Sequence, residues 1–343
     1  MRYRLSDFDY ALPAEQIAQV PLPDRAASRL LVLDRATGAV RHASFRDIVG
    51  LIPSGDVLVL NTSRVIPARL HGKRDAGAPA EILLVRALPD GTWLAMGHPG
   101  GKLKPGRRVR FGDDSVVEIV ELLGGGLRRV RFVGALDARA TIAQYGEVPL
   151  PPYIRRPPTP ADRERYQTVY AEHDGSVAAP TAGLHFTPDL LDRVRGKGVT
   201  VGSLDLHVGP GTFKPVETDD LAAHAMQPEP YEIPDETADL INAAKGSGRG
   251  VWGVGTTVVR ALEAASDERG RVRAGPGETN LFIYPPYRFK VVDRLLTNFH
   301  LPRSTLLMLV SAFGGHDAVM GAYREAVKQG YRFYSYGDAM AIV

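Results

Sequence analysis

The sequence predicts an α/β protein with a small antiparallel β-barrel inserted into it, and three observations lead there. Between about residues 80 and 134, short apolar or alternating runs are separated by clusters of Gly, Pro and Asp, the spacing of an all-β module rather than of βαβ units. The stretch 149–160, PLPPYIRRPPTP, places six prolines in twelve residues and reads as a stiff connector. Beyond it, strand-like and helix-like segments alternate, as in an α/β domain. A chain of 343 residues exceeds the usual size of one small domain, so two are expected.

Taken in order, GDVLVLN at 55–61 reads as a buried strand leaving a turn. EILLVRAL, TWLAM, RRVRF, SVVEIVELL and RRVRFV then supply five strands of the barrel. After the connector, Thr187 followed by Pro188 can cap and start a helix through DLLDRVR, and Lys197-Gly198 can end it. VTVGSLDLHV at 199–208 is a strand, DETADLINAAK at 235–245 a helix, and GVWGVG at 250–255 a strand running into the helix VVRALEAA. STLLMLVSAF at 304–313 and AVMGAYREAVKQ at 318–329 are two more helices, and YRFYSYG near the end is expected as a strand. The first 60 residues are too short to form a domain alone. The predicted division is therefore a discontinuous α/β domain of residues 1–62 and 151–343, with the barrel at 63–150.

Hydrophobic residues make up 44% and charged residues 24% of the chain, the proportions of an ordinary soluble protein. No apolar run approaches the length of a membrane span, and MRYRLSDFDYALP has no apolar core of a signal peptide. A cytoplasmic protein, without membrane association, is expected. Zero cysteines exclude disulfides, a thiolate nucleophile and a cysteine zinc site. HxH, HExxH and carboxylate-cluster patterns are also missing, so no metal site is expected, and no GxSxG elbow supports a hydrolase triad. The net charge is +3, but residues 63–150 hold 14 Lys/Arg against 9 Asp/Glu while the remainder holds 28 against 30. KLKPGRRVR at 102–110 has five cations in nine residues. Such segregation suits a polyanion; a solvated strand face of alternating arginines explains it equally well.

Four segments rich in Gly, Thr and His fall at strand ends, where α/β domains usually build their sites. GSVAAPTAGLHFT at 175–187 is uncharged and small, with His185 and Thr181; it is either a site-lining loop or a buried strand. LDLHVGPGTFKPV at 204–216 carries Asp205, His207, Gly209 and Gly211. Residues two apart on a strand share a face, so Asp205 is placed to orient His207. In GVGTTVVRALE at 253–263, Thr256 is expected to cap a helix whose first N–H groups accept an anion. LLTNFHLPRST at 295–305 holds Asn298 and His300 before a helix capped by Ser304. Each histidine has a structural alternative, and GVGTT is neither GxGxxG nor a Walker A loop. These residues alone support a cytosolic α/β enzyme, with RNA as a candidate substrate.

Together, LSDFDYALPAEQIAQ, NTSRVIPARL, YQTVYAEHDGSVAAPTAGLHFT, LHVGPGTFKPV, VGTTVVRALE and FIYPPYRFKVVDRLLTNFHLPRSTLLMLVSAF resemble the S-adenosylmethionine:tRNA ribosyltransferase-isomerase family of the queuosine pathway, over essentially the whole chain. The resemblance implies a larger α/β domain with an inserted β-barrel. It also implies that S-adenosylmethionine is consumed as a ribosyl donor, with no cofactor, to modify tRNA carrying 7-aminomethyl-7-deazaguanine at the wobble position. Adenine and methionine leave, giving epoxyqueuosine, and a monomer is expected.

That chemistry asks for a base to take a proton from the ribose 5′ carbon. His207 is the first choice and His185 the second, with the other histidine or His300 protonating adenine and Glu278 positioning the amine. Thr256, Thr257 and Arg260 are candidates for the methionine carboxylate; Asn298, Gly209, Gly211 and Thr181 complete the expected substrate site. Arg25, Arg64 and Arg69, with Arg29, either hold RNA or pin the domains together, and Lys102, Lys104, Arg107 and Arg108 are expected at the tRNA. The chain departs from the family pattern at Ala26, Gln227 and Pro286 and in MGHPGGKLKPG, where relatives commonly carry Asp, His, Gly and an Arg. A methyltransferase, a base-exchanging transglycosylase and a non-catalytic RNA-binding protein are the alternatives.

Overall fold

Apolar residues alternate around the strand Arg29–Leu33 in a way that fixes the architecture: Leu31 and Leu33 enter one buried cluster, Leu30 and Val32 another. The strand Val57–Asn61 does the same, with Val57 and Val59 on one side and Leu58 and Leu60 on the other. A strand buried on both faces belongs to a sheet covered by helices on both sides. In this computed structural model, which describes residues 3–209, 216 and 218–343, that sheet has nine strands. Its centre is four parallel neighbours, Thr200–Leu206, Val57–Asn61, Val251–Val254 and Arg294–Asn298. Glu229–Ile233 and Gly275–Thr279 extend one edge antiparallel, and Ala339–Ile342, Arg29–Leu33 and Val40–Ser44 extend the other.

Helices Asp235–Gly246, Thr256–Ala265, Thr305–Gly314 and His316–Lys328 pack on one face, and Pro188–Gly196 on the other. Thr187 Oγ1 accepts from Leu190 N at 3.2 Å and Ser304 Oγ from Leu307 N at 3.2 Å, as their sequence positions predict. Thr256 instead lies inside its helix. Gly255, with φ of 92°, takes the cap position, and no side chain caps that helix.

The second body is a closed antiparallel barrel of six strands: Arg69–Arg74, Pro79–Ala87, Trp93–His98, Leu127–Phe132, Ser115–Gly124 and Arg108–Phe111, the last returning to the first. Five of these are legible in the sequence. Arg69–Arg74 is not, because its inward position Gly72 carries no side chain; a Cβ there would lie 2.7 Å from the Phe111 ring, whose bulk fills the space. Inward Leu70, Ile82, Val109, Phe111, Ile119 and Val130 form the core.

YRFYSYG is not a strand, contrary to expectation. The terminal strand is Ala339–Ile342, and residues 331–337 are a buried loop in which Tyr334 adopts φ of 71°. Its aromatics alternate because Tyr331, Phe333, Tyr334 and Tyr336 all pack inward, not because the backbone is extended. Among the described residues, no single helix is long and apolar enough to cross a membrane.

Candidate active site

The carboxyl ends of the parallel strands open onto a small pocket, about 70 Å³ in volume. GSVAAPTAGLHFT forms one wall of it: after the short strand His173–Ser176, residues Ala178–Ala182 run along the pocket before a tight turn over Thr181–His185. The stretch is therefore a loop, and nearly all of it is buried. Thr181, Thr256, Thr257, Asn298 and His300, predicted separately, line this one pocket together with Tyr153 and Tyr334. The two tyrosines are stacked, their ring centroids 4.5 Å apart.

His185, in contrast, is held behind the pocket wall. Its Nδ1 lies 2.6 Å from Ser28 Oγ and its Nε2 3.1 Å from Asn298 Nδ2, and the ring packs on Phe45. Burial first, then the charges of Arg332 and Arg25, push its pKa down to about 3. With both nitrogens occupied and the ring buried, His185 is a structural acceptor, not the base expected from the sequence. His300 does face the pocket, bonded through Nε2 to Thr297 Oγ1 at 2.8 Å, and burial lowers its pKa to about 3 as well.

His207 stands on the other side of the same strand end, in a cleft of about 400 Å³ between the sheet and the barrel. Arg86, Leu94, Gly125 and Leu127 line it from the barrel; Gly209, His224, Glu229 and Glu278 line it from the sheet. The imidazole Nδ1 is buried and makes no hydrogen bond. Burial lowers the His207 pKa, Asp205 raises it and His173 lowers it, for a net fall, so the ring is neutral near pH 7 and able to take a proton.

Asp205 does not orient the ring as predicted. Its carboxylate is bound by Thr62 Oγ1 at 2.8 Å and by His173 Nδ1 at 2.7 Å. His207 is fixed instead by close packing. Gly175 has φ of 149°, and a Cβ on it would lie 2.8 Å from the imidazole, so the first residue of the loop is small for the sake of this histidine.

Glu278 faces the cleft and meets Arg86 of the barrel at 3.0 Å. His224 is in the cleft too, its ring against Phe282 and its pKa lowered by burial. Arg260 lines neither cavity: it is 3% exposed, ion-paired with Glu229, and donates through Nε to Leu281 O at 3.1 Å. The other Glu229 oxygen accepts from Gly209 N at 3.1 Å. The pair thus fixes the chain at Gly209, two residues after His207, and the expected place of Arg260 at a free carboxylate is corrected. Gly211 lies outside the described residues.

The predicted RNA contacts separate into two groups. Arg25 donates to Leu184 O and Glu164 O, Arg69 to Leu150 O, and Arg64 to Ala171 O, with Asp174 and Glu81 beside the latter two arginines. Arg29 bonds Gln329 O at 2.7 Å and covers the Tyr331 ring. All four tie segments of the chain together. On the barrel, Arg108 pairs with Glu118 at 3.2 Å, while Lys102, Lys104 and Arg107 are exposed. Arg128, buried and bonded to the carbonyls of Gly100, Leu103 and Gly126, fixes the turn that carries Lys102 and Lys104. Sequence reasoning did not single out Tyr153, Tyr334, Arg86 or His173. Only His173, three residues from Ser176 in the matched motif, carried a usable signal.

A family model described as queuosine biosynthesis protein matches residues 5–342. The S-adenosylmethionine:tRNA ribosyltransferase-isomerase of Heliobacterium modesticaldum is 52% identical over 98% of this chain and 98% of its own. That of Symbiobacterium thermophilum is 52% identical over 99% of this chain and 100% of its own. Among solved structures, a Thermotoga maritima S-adenosylmethionine tRNA ribosyltransferase is 40% identical and superposes with a TM-score of 0.56, covering 98% of this chain and 100% of that one.

Proposed function

The chain belongs to the queuosine biosynthesis protein family, and on that premise we propose that it transfers and isomerises the ribosyl unit of S-adenosylmethionine onto 7-aminomethyl-7-deazaguanine in tRNA. Adenine and methionine leave, and epoxyqueuosine-tRNA remains. S-adenosylmethionine is consumed as a substrate, no further cofactor takes part, and the protein acts as a monomer.

The observation that carries this reading is a neutral His207 lining the cleft where sheet and barrel meet, together with Glu278. The sulfonium acidifies the ribose 5′ carbon, and His207 takes the proton from it. The substrate amine enters from the RNA side, where Glu278 positions it while sharing its charge with Arg86. The amine must be neutral to attack, and Arg86 reduces the tendency of Glu278 to hold it protonated. Adenine leaves with negative charge; His224, neutral in the same cleft, is placed to donate a hydrogen bond to it, and the proton that His207 took from the ribose is the one that neutralises it. The exposed Lys102, Lys104 and Arg107 meet the RNA backbone, which makes binding salt-dependent.

Product analysis tests the proposal. Incubation with S-adenosylmethionine and tRNA bearing the aminomethyl-deazaguanine base should release adenine and methionine in equal amounts, dependent on that tRNA. S-adenosylhomocysteine as the product would replace ribosyl transfer with methyl transfer.

A further inference from the structure

Asn298 ends its strand inside the small pocket and is 2% exposed. Its amide nitrogen lies 3.2 Å from Tyr334 O and 3.4 Å from Asp338 O. Carbonyls only accept, so the amide can sit one way round. The same nitrogen is 3.1 Å from His185 Nε2, which must then accept. The ring proton therefore sits on Nδ1 and goes to Ser28 Oγ, whose own proton goes to Arg25 O at 2.9 Å. With every donor in this chain placed, Asn298 Oδ1 is left as a buried acceptor with no hydrogen bond. Native structures rarely leave such an atom unpaired, and water or a ligand group completes it. Tyr334, which supplies one of the orienting carbonyls, holds a left-handed backbone that tyrosine seldom adopts.

The helix Thr256–Ala265 begins in the same pocket, with Thr256 and Thr257 in the wall and no side chain capping its first turn. A helix start offers N–H donors and favours a negative group. Asn298 Oδ1 offers an acceptor, and Val208, Phe299 and Ala182 supply apolar wall between. That is the complement of an amino acid with an apolar side chain.

We propose that this pocket binds the methionyl end of the sulfonium substrate, its ammonium donating to Asn298 Oδ1 and its carboxylate resting on the first turn of the helix at Thr256 and Thr257. His185 is then a positioning residue that holds the Asn298 amide in register. This assignment rests on the ribosyl-transfer reading and explains how the two cavities cooperate. The pocket, at about 70 Å³, suits the narrow end of the substrate, whereas the cleft, at about 400 Å³, has room for purine-sized groups. Val208 lines the pocket while its neighbours His207 and Gly209 line the cleft. The two cavities thus adjoin the same stretch of chain, residues 207–209.

Displacement of labelled S-adenosylmethionine from the protein in the presence of tRNA that lacks the aminomethyl-deazaguanine base tests this without turnover. Two analogues serve as probes, one decarboxylated and one with the methionine amine replaced by hydrogen. Each is expected to bind roughly 10- to 100-fold more weakly than the parent, the range for losing a charge-assisted hydrogen bond. In Asn298→Ala the parent should weaken by about tenfold or more, the deaminated analogue should bind as it does to the unaltered protein, and the penalty for decarboxylation should persist.

Equal affinity of the unaltered protein for all three ligands would overturn the assignment even if the variant fails to fold. So would an Asn298→Ala variant that weakens every ligand alike, or one that loses discrimination only against a ligand lacking the adenine amine. His185→Ala should raise KM without moving the pH profile of kcat, and a moved profile would make it an acid or base instead. Intact discrimination among the analogues without any adenine release would reject the reaction and leave the pocket standing.

Discussion

His185 is buried and His207 half-buried, both are neutral near pH 7 and both sit beside the segment 175–187, yet their surroundings are opposite. His185 has a partner on each ring nitrogen and lies behind the pocket wall. His207 has a buried nitrogen with no partner, the closest approach of a glycine on one side and an open cleft on the other. In the pocket region, histidine completes a scaffold that leaves an asparagine oxygen unmet. In the cleft region, histidine is itself the unmet group. A lowered pKa is shared by the two, so it does not distinguish them; what does is that His207 lines the cleft and keeps unused bonding capacity.

Substitution should separate them sharply. His207→Ala is expected to lower kcat by about 10²- to 10⁴-fold, the usual contribution of a positioned base, with S-adenosylmethionine still bound. Single-turnover measurement of adenine release checks it, and near-normal turnover in a folded variant would end the assignment of His207. Breaking the Glu229–Arg260 pair should come next. Glu229→Ala leaves the Arg260 charge buried and frees Gly209 N, so a loss of about 3–5 kcal/mol in stability is expected, measured by urea unfolding. A loss under about 1 kcal/mol, the range of an exposed pair, would show that the pair does not fix the chain at Gly209. Gly175→Ala tests the packing of His207. The added Cβ meets the imidazole at 2.8 Å, on a backbone that alanine resists, so kcat should fall by about tenfold at unchanged KM for tRNA, a 1 Å misplacement being worth up to about 10²-fold. Unchanged kcat would mean that the ring has room to move.

Much of the fold was legible because its signals are local. The buried strand VLVLN, the Thr187 and Ser304 caps, and the turns between barrel strands all lie within a few residues of the positions they determine. The failures were non-local. Gly72 yields its place to Phe111, almost forty residues on, and YRFYSYG owes its buried aromatics to loop packing. The site divided in the same way. Motifs identified Thr256, Thr257, Asn298 and His300 as residue types, and the sheet brought them into one pocket. Pairings did not follow, because strand alternation places Asp205 and His207 on one face without saying whose hydrogen bond the carboxylate accepts. His173, thirty-two residues earlier in the chain, took it through the parallel pairing of its strand with Ser63–Val65. Arg260 looked available for a substrate because its partner Glu229 lies on a strand thirty-one residues away from its helix position.

The charges around His207 give the finest discrimination between the two regions. Burial lowers its pKa, the Asp205 carboxylate opposes that, and His173 adds to it. If His207 is the base, the acidic limb of kcat/KM reports this pKa, activity falling as pH drops through it and the ring becomes protonated. Asp205→Asn removes the carboxylate that favours the charged ring, so the limb should move to lower pH. His173→Ala removes the neighbour that disfavours it, so the limb should move to higher pH. Both variants should match the parent on the plateau above the limb, where His207 is neutral in every case. No comparable pair of shifts is expected from Ser28→Ala, whose hydroxyl bonds His185 and Arg25 O but not His207. Should Asp205→Asn and His173→Ala leave the limb in place while Ser28→Ala moves it, the roles of the two histidines would have to be exchanged.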